Sequence, residues 1–381
     1  MPTPAAPDLD LLLTDIRELV ECESPSQDLA AVAASADVVA RVGARRLGVE
    51  PERIVIDGVS HLRWRFGTPR VLVLGHHDTV WPLGTLATTP YSIGDGILRG
   101  PGCFDMLAGV AMAFHAIATL PDRDGVGLLI TGDEEVGSIS SRALIEDEAR
   151  PVGAVLVLEA AAEGGALKTA RKGTSMYEMA VTGRAAHAGL EPEKGVNASV
   201  ELAHQILALA ALGDASAGTS VVPTVLAGGT TLNTVPARAQ VAVDVRAWTA
   251  AEQERVDAAI RALAPALPGA ELTVTGGVNR APLEERASLG LFEAAQAVAA
   301  RLGLAPLARA AVGGASDGNF TAGAGTPTLD GLGAVGGGAH AADEHVLVGA
   351  LVDRTALVAG LLGELLTDRL PERQAAGRRR P

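Results

Sequence analysis

The sequence predicts an α/β protein with a discontinuous first domain and a second domain inserted into it, and three observations carry that reading. Short apolar runs alternate with longer periodic segments from residue 71, the order of elements changes near Gly173, and the first style returns at Pro282. A 381-residue chain is long enough for two cores.

After an amphipathic N-terminal region, RVLVLGHHD, DMLAGVAMAFHAIATL, GVGLLITGDEE, SSRALIEDEAR and GAVLVLEAA read as strand, helix, strand, helix, strand. The strands lack polar alternation, so they should be buried on both faces, in a largely parallel sheet flanked by helices. From Gly173, MYEMAVTG, NASVELAHQILALAAL, TVLAGG, LNTVPARAQVAVDVRAW, a helix from Thr249 and AELTVTGG follow in turn. That order, β-α-β-β-α-β, is the ferredoxin-like one, and Thr249 with Glu252 spells a capping box. The expected domains are therefore 1–173 with 282–381, and an inserted 174–281. Beyond Pro282, helical LFEAAQAVAARLGL, strand-like TPTLDGLG and helical LVGALVDRTALVAGLLGELLTDRL complete the first domain.

Composition excludes some function classes. A net charge of −14 disfavours nucleic acid, and the one basic run, RQAAGRRRP, reads as a solvated tail. No apolar run of membrane-spanning length escapes charge, so no membrane partner is expected. The first twenty residues lack a basic leader and carry acids within their apolar part, which predicts a cytoplasmic protein. Cys22 and Cys103 have no metal or redox spacing and are expected as free thiols.

Function should lie at the carboxyl ends of the strands. VLVLGHHDTV ends one strand with His76, His77 and Asp78; residues two apart share a face, so Asp78 can steady the His76 ring while His77 points elsewhere. TGDEEVGS ends the next with Asp133, Glu134 and Glu135, GAVLVLEAA leads to Glu159, and GPGCFDML places Asp105 after a turn. Each segment alone can be structural: a loop histidine, or acids favoured at a helix start. Together they deliver imidazole and carboxylates to one edge, the donor set of a divalent metal, with enough acids for two ions sharing a carboxylate.

HHD, GPGCFDM, GDEEVGS, HAGLEPEKGVNA and a late GGGAHAADE stand in the order seen in a zinc-dependent amidohydrolase and exopeptidase family. The chain resembles that family from about residue 10 to about residue 365; its members include glutamate carboxypeptidase (carboxypeptidase G type), acetylornithine deacetylase, succinyl-diaminopimelate desuccinylase and aminoacylase. The resemblance implies one zinc on His76, Asp105 and Glu159, a second on Asp105, Glu135 and His340, and Glu134 as the general base acting on a water that bridges the two ions. Cobalt and manganese suit the same ligands. It further implies that His187 stabilises the oxyanion with Asn233 assisting, that Arg246 and Arg280 hold a substrate carboxylate, and that the chain forms a homodimer through the inserted domain. Ser316 and Asp317 in GGASDGNF match a segment near the substrate site. Leu107 and Ala108 depart from the lysine and glycine frequent in relatives, beside a retained Asp105.

The expected activity is hydrolysis of an amide next to a free carboxylate, as in glutamate carboxypeptidase, with N-acyl-amino-acid deacylase or dipeptidase as alternatives on the same site. A catalytically silent scaffold is disfavoured because Glu134 accompanies every ligand. Phosphoesterase chemistry is disfavoured because no basic cluster lies among the motifs.

Overall fold

The computed structural model describes residues 7–367; the basic run at 373–381 lies outside them, as do residues 1–6. Among the described residues the chain divides into two compact units, one of residues 7–170, 285–312 and 316–367, the other of 171–284 with 313–315.

The first unit is built on a six-stranded sheet in the order Glu52–Ile56, Val59–Phe66, Val126–Thr131, Val71–His76, Ala154–Val157, Thr328–Leu329. The four strands from Val126–Thr131 outward pair in parallel, whereas the Glu52–Phe66 hairpin adds antiparallel strands at one edge. That hairpin was not expected from sequence, because ERIVI and VSHLRWRF mix charges among apolar residues and show neither an unbroken apolar run nor strict alternation.

The parallel strands are buried throughout, and their side chains divide by parity. Val71 and Val73 pack into a large core with the helices Leu9–Val20, Leu29–Leu47, Ala108–Ala118, Leu289–Arg301 and Val348–Leu366. Leu72 and Leu74 face Ile145, Ala149 and Phe320, from the short helices Arg142–Ala149 and Gly318–Gly323. Two covered faces explain why these strands read as continuous apolar runs. Asp8 and Asp28 cap the first two helices through their side chains.

The second unit is a four-stranded antiparallel sheet in the order Ser220–Gly228, Arg238–Ala247, Gly173–Thr182, Glu271–Arg280. Helices Ala198–Ala210 and Ala250–Arg261 pack on one face over Tyr177, Met179, Val181, Val241, Val243 and Val245. Thr249 accepts from the Glu252 amide at 3.2 Å, but the Glu252 carboxylate accepts from Thr219 at 2.8 Å and pairs with Arg255, so one half of the expected capping box forms. Cys22 and Cys103 are free thiols. Among the described residues, no helix is long and apolar enough to cross a membrane.

Candidate metal centre

The strand Val71–His76 ends in glycine and histidine for a steric reason. A Cβ on Gly75 would stand 2.8 Å from the Met106 methyl, so the glycine admits the segment that carries Asp105. The His76 Nδ1 donates to the Asp78 carbonyl at 3.0 Å, which turns Nε2 toward Asp105. Asp78 thus holds the ring through its main chain. Its buried carboxylate accepts from Ser26 Oγ at 2.6 Å and from the amides of Glu134 and Glu135 at 3.1 Å each. Burial would raise the Asp78 pKa, but His76 and Ser26 outweigh it and hold the group below its ordinary value.

Asp105 lies in an irregular stretch, with φ −117° and ψ 93°, before the helix that the sequence placed there. Its two oxygens serve different partners. His76 Nε2 stands 3.4 Å from Oδ1 and 3.6 Å from a Glu159 oxygen, while His340 Nε2 stands 3.3 Å from Oδ2 and 3.1 Å from a Glu135 oxygen. His76, Asp105 and Glu159 form one group of potential ligand atoms, and Asp105, Glu135 and His340 form another.

Two features fit this set to metal ions. His76 Nε2 and Asp105 Oδ1 are buried and make no hydrogen bond, although they face each other. Ligand atoms about 2 Å from a tetrahedral ion lie about 3.3 Å apart, close to the four separations across the site. The unbonded ligand atoms and the spacing across the site are what binding of metal requires.

The same crowding perturbs titration. Burial lowers the His76 pKa, yet Asp105, Asp78 and Glu159 hold it well above its ordinary value. Asp105 and Glu135 hold His340 up at about 10. Burial opposes ionisation of Asp105, but His340 and His76 hold its pKa down, whereas burial raises that of Glu135 despite His340.

Of the three consecutive acids, Asp133 braces a turn: it accepts from Ser140 N and Oγ at 2.7 and 2.8 Å and from Ser141 Oγ at 2.5 Å. Glu134 is buried on the short helical turn Glu134–Val136, its amide fixed by Asp78. His77 points away, with Nδ1 3.1 Å from Ser35 Oγ and Nε2 3.1 Å from the Ser60 carbonyl; burial lowers its pKa to about 4, so it is a neutral structural histidine. Asp317 is buried, accepting from Thr131 Oγ1 at 3.1 Å and from Ser138, which ties the acid-bearing turn to the strand before it. Leu107 is a core residue.

In the second unit, His187 and Asn233 lie on adjoining loops, with the Ala188 amide donating to the Asn233 carbonyl at 2.9 Å. His187 is exposed, and its Nδ1 accepts from the amides of Gly189 and Leu190 at 3.1 and 3.2 Å, so a neutral ring carries its proton on Nε2. Asn197 caps the following helix. Arg246 and Arg280 both lie opposite Thr174, one on each neighbouring strand, so they share a row across the sheet. Arg246 pairs with Asp244 at 2.8 Å, and Arg280 is buried.

Sequence reasoning missed the partners that hold these side chains: Ser26 on Asp78, and Thr131 and Ser138 on Asp317. None has a local signal, since each partner is distant in the chain.

Known proteins share much of this sequence and fold. Residues 72–364 match Peptidase family M20/M25/M40. Carboxypeptidase G2 of Pseudomonas sp. (strain RS-16) is 30% identical over 376 residues, covering 93% of this chain and 89% of that protein. A succinyl-diaminopimelate desuccinylase of Methylorubrum populi is 30% identical over 336 residues, covering 80% of this chain and 85% of the other. Among solved structures, the fold is shared with aminopeptidase PepT of Bacillus cereus, at TM-score 0.75 and 23% identity over 94% of this chain and 99% of that one. The dinuclear metal-binding M20 peptidase YXEP of Bacillus subtilis aligns at TM-score 0.65 and 15% identity, covering 94% of this chain and 98% of its own. With its histidines and carboxylates gathered where a metal-dependent hydrolase needs them, the chain belongs to the M20 peptidase family and is a hydrolytic enzyme of the metallopeptidase and amidohydrolase kind.

Proposed function

We propose that this enzyme holds two divalent ions, zinc first among zinc, cobalt and manganese, and cleaves an amide next to a free carboxylate, as a glutamate carboxypeptidase does. The observation that carries the reading is the division of Asp105: one oxygen faces His76 and the other faces His340. His76, Asp105 and Glu159 would hold one ion, and Asp105, Glu135 and His340 the other. When bound, such ions polarise the scissile carbonyl and ease ionisation of water.

The chain's own residues supply the rest. Glu134 takes the proton from the attacking water and passes it to the leaving amine, so that acid and base are one group in two states. Asp78 fixes the Glu134 and Glu135 amides and, through its carbonyl, the His76 ring. His187 offers a protonated Nε2 to the developing oxyanion, with Asn233 on the adjoining loop assisting. Arg246 and Arg280 provide guanidinium donors for the carboxylate of the substrate.

We place the dimer contact on the second unit, a ferredoxin-like inserted domain in this reading. Ser220–Gly228 is an edge strand with Val222, Val225 and Leu226 exposed, and the adjacent helix exposes Val200 and Leu207. An apolar open edge is suited to pairing with a second copy. The desuccinylase relatives favour a second reading, an N-acyl-amino-acid deacylase on the same centre.

Zinc- or cobalt-loaded protein should be assayed on folate-type and simple N-acyl glutamates, N-acetylornithine, N-succinyl-diaminopimelate and an unblocked dipeptide. Glutamate release supports the carboxypeptidase reading. Preference for the acylated diamino acids moves the enzyme to the deacylase branch, and preference for the dipeptide to the dipeptidases.

A further inference from the structure

Glu344 is four residues beyond His340, its carboxyl is buried, and no cation is paired with it among the described ion pairs. Instead it accepts four hydrogen bonds. Oε1 takes the amides of Phe104 and Asp105 at 2.9 and 3.1 Å, and Oε2 takes the Gly102 amide at 3.0 Å and the Trp81 indole at 2.7 Å. An ionised carboxylate has about four acceptor directions, and here all are spent on the segment that presents Asp105 and on one neighbouring side chain.

The main chain of Glu344 adjoins the turn that carries the other ligand. Its amide donates to the Ala341 carbonyl at 3.0 Å, and the Ala341 amide donates to the Gly338 carbonyl at 2.9 Å, so the turn that Glu344 closes follows directly on the turn that contains His340. His340 has φ +61°, a left-handed conformation uncommon outside glycine. Gly338 lies so close behind that a Cβ there would stand 2.8 Å from the Glu344 amide nitrogen. One residue thus fixes the Asp105 segment with its side chain, while its backbone closes the turn next to His340 and packs against Gly338.

We propose that Glu344 is a positioning residue that locks the Asp105 and His340 segments into one unit, with Trp81 as its side-chain anchor, and so sets the affinity of the ion shared by Asp105, Glu135 and His340. The inference rests on the two-ion reading of the centre. The other ion shares Asp105 and feels the lock through it, but less, because its remaining ligands, His76 and Glu159, come from the ends of adjacent parallel strands. His340, by contrast, has a half-exposed side chain on a loop.

Glu344→Gln tests this with the overall shape kept. The amide nitrogen of glutamine cannot accept, so at least one pair of donors loses its acceptor. Metal-free full-length protein would be titrated with Co2+, following heat and visible absorption together, with folding checked by near-ultraviolet circular dichroism. Wild type should take up two ions. In Glu344→Gln the tighter ion should change by less than about threefold and the weaker by about 10- to 100-fold, the range for loss of a partner that orients a ligand. Trp81→Phe removes one of the four donors and should weaken the same ion by several-fold; it carries the test if the glutamine variant fails to fold.

Unchanged affinity for both ions in folded variants overturns the proposal, as does equal weakening of both. A wild type that binds one ion overturns it too, and there the fault lies with the two-ion reading, which the wild-type titration shows by itself.

Discussion

His76 and His340 address the same carboxylate from opposite sides, but the protein holds them differently. His76 ends a strand flanked by two parallel neighbours, its side chain is 2% exposed, and its Nδ1 is committed to Asp78. His340 sits in a left-handed turn with its side chain 49% exposed. If the centre takes the two ions proposed, one rigid and one looser histidine should bind them unequally. The sheet supplies a fixed platform, and the loop supplies the part that folding alone holds least well.

The largest expected effect lies between the two. Glu134→Ala should lower kcat/KM on an N-acyl glutamate by about 10³- to 10⁴-fold, near the upper range for removing a general acid and base, with metal content measured by mass spectrometry unchanged. Loss of metal along with rate would make Glu134 a ligand or a structural group and would erase the division between base and platform.

A smaller loss, about 10²-fold in kcat with little change in KM, is expected for His187→Ala if its Nε2 meets the oxyanion. A residue that only braces its loop, through the Gly189 and Leu190 amides, would leave kcat near wild type while lowering the melting temperature.

The histidine comparison itself is sharpened by metal uptake. His340→Ala should retain one tightly bound equivalent, whereas His76→Ala should retain less than one, as counted by equilibrium dialysis against Zn2+. Both imidazoles have raised pKa values in the metal-free protein, His340 at about 10. At pH 7 each is therefore protonated, and each must shed its proton to bind an ion. Uptake at pH 7 should release about two protons in all, and affinity should rise with pH until about 10. Calorimetry in buffers of different ionisation enthalpy reads this directly; release of no protons would mean that the carboxylates do not hold these rings charged.

How much of this was legible in the sequence follows the same contrast. The strand carrying His76 announces itself as an unbroken apolar run, because both faces of the parallel sheet are covered, and Asp133 to Glu135 and Glu159 follow similar runs. His340 follows a glycine-rich loop with no periodicity, so only the family resemblance pointed to it. The contacts of Glu344 were invisible, since three of its four donors are backbone amides about 240 positions earlier in the chain, and an amide has no residue type to recognise. The hairpin at Glu52–Phe66 was missed because Arg63 and Arg65 interrupt its apolar pattern; the structure pairs both with the buried Glu148, at 2.6 and 2.5 Å.

The smallest effect concerns Arg246, which stands in the second unit as His340 does in the first, a partly exposed candidate beside a buried one, Arg280. Its guanidinium is already paired with Asp244, at 35% and 31% side-chain exposure, and such a pair is worth about 1 kcal/mol or less. If Arg246 meets the substrate carboxylate, Arg246→Ala should raise KM for an N-acyl glutamate by up to about tenfold with kcat held, since one screened charge-assisted contact is removed. Asp244→Ala should act in the opposite direction and lower KM a few-fold, because it frees the guanidinium from a competing anion. Opposite signs cannot come from lost folding stability, which would move both variants the same way. If both leave KM unchanged, Arg246 is only the partner of Asp244, and the carboxylate must be held by Arg280 or by the metal centre itself.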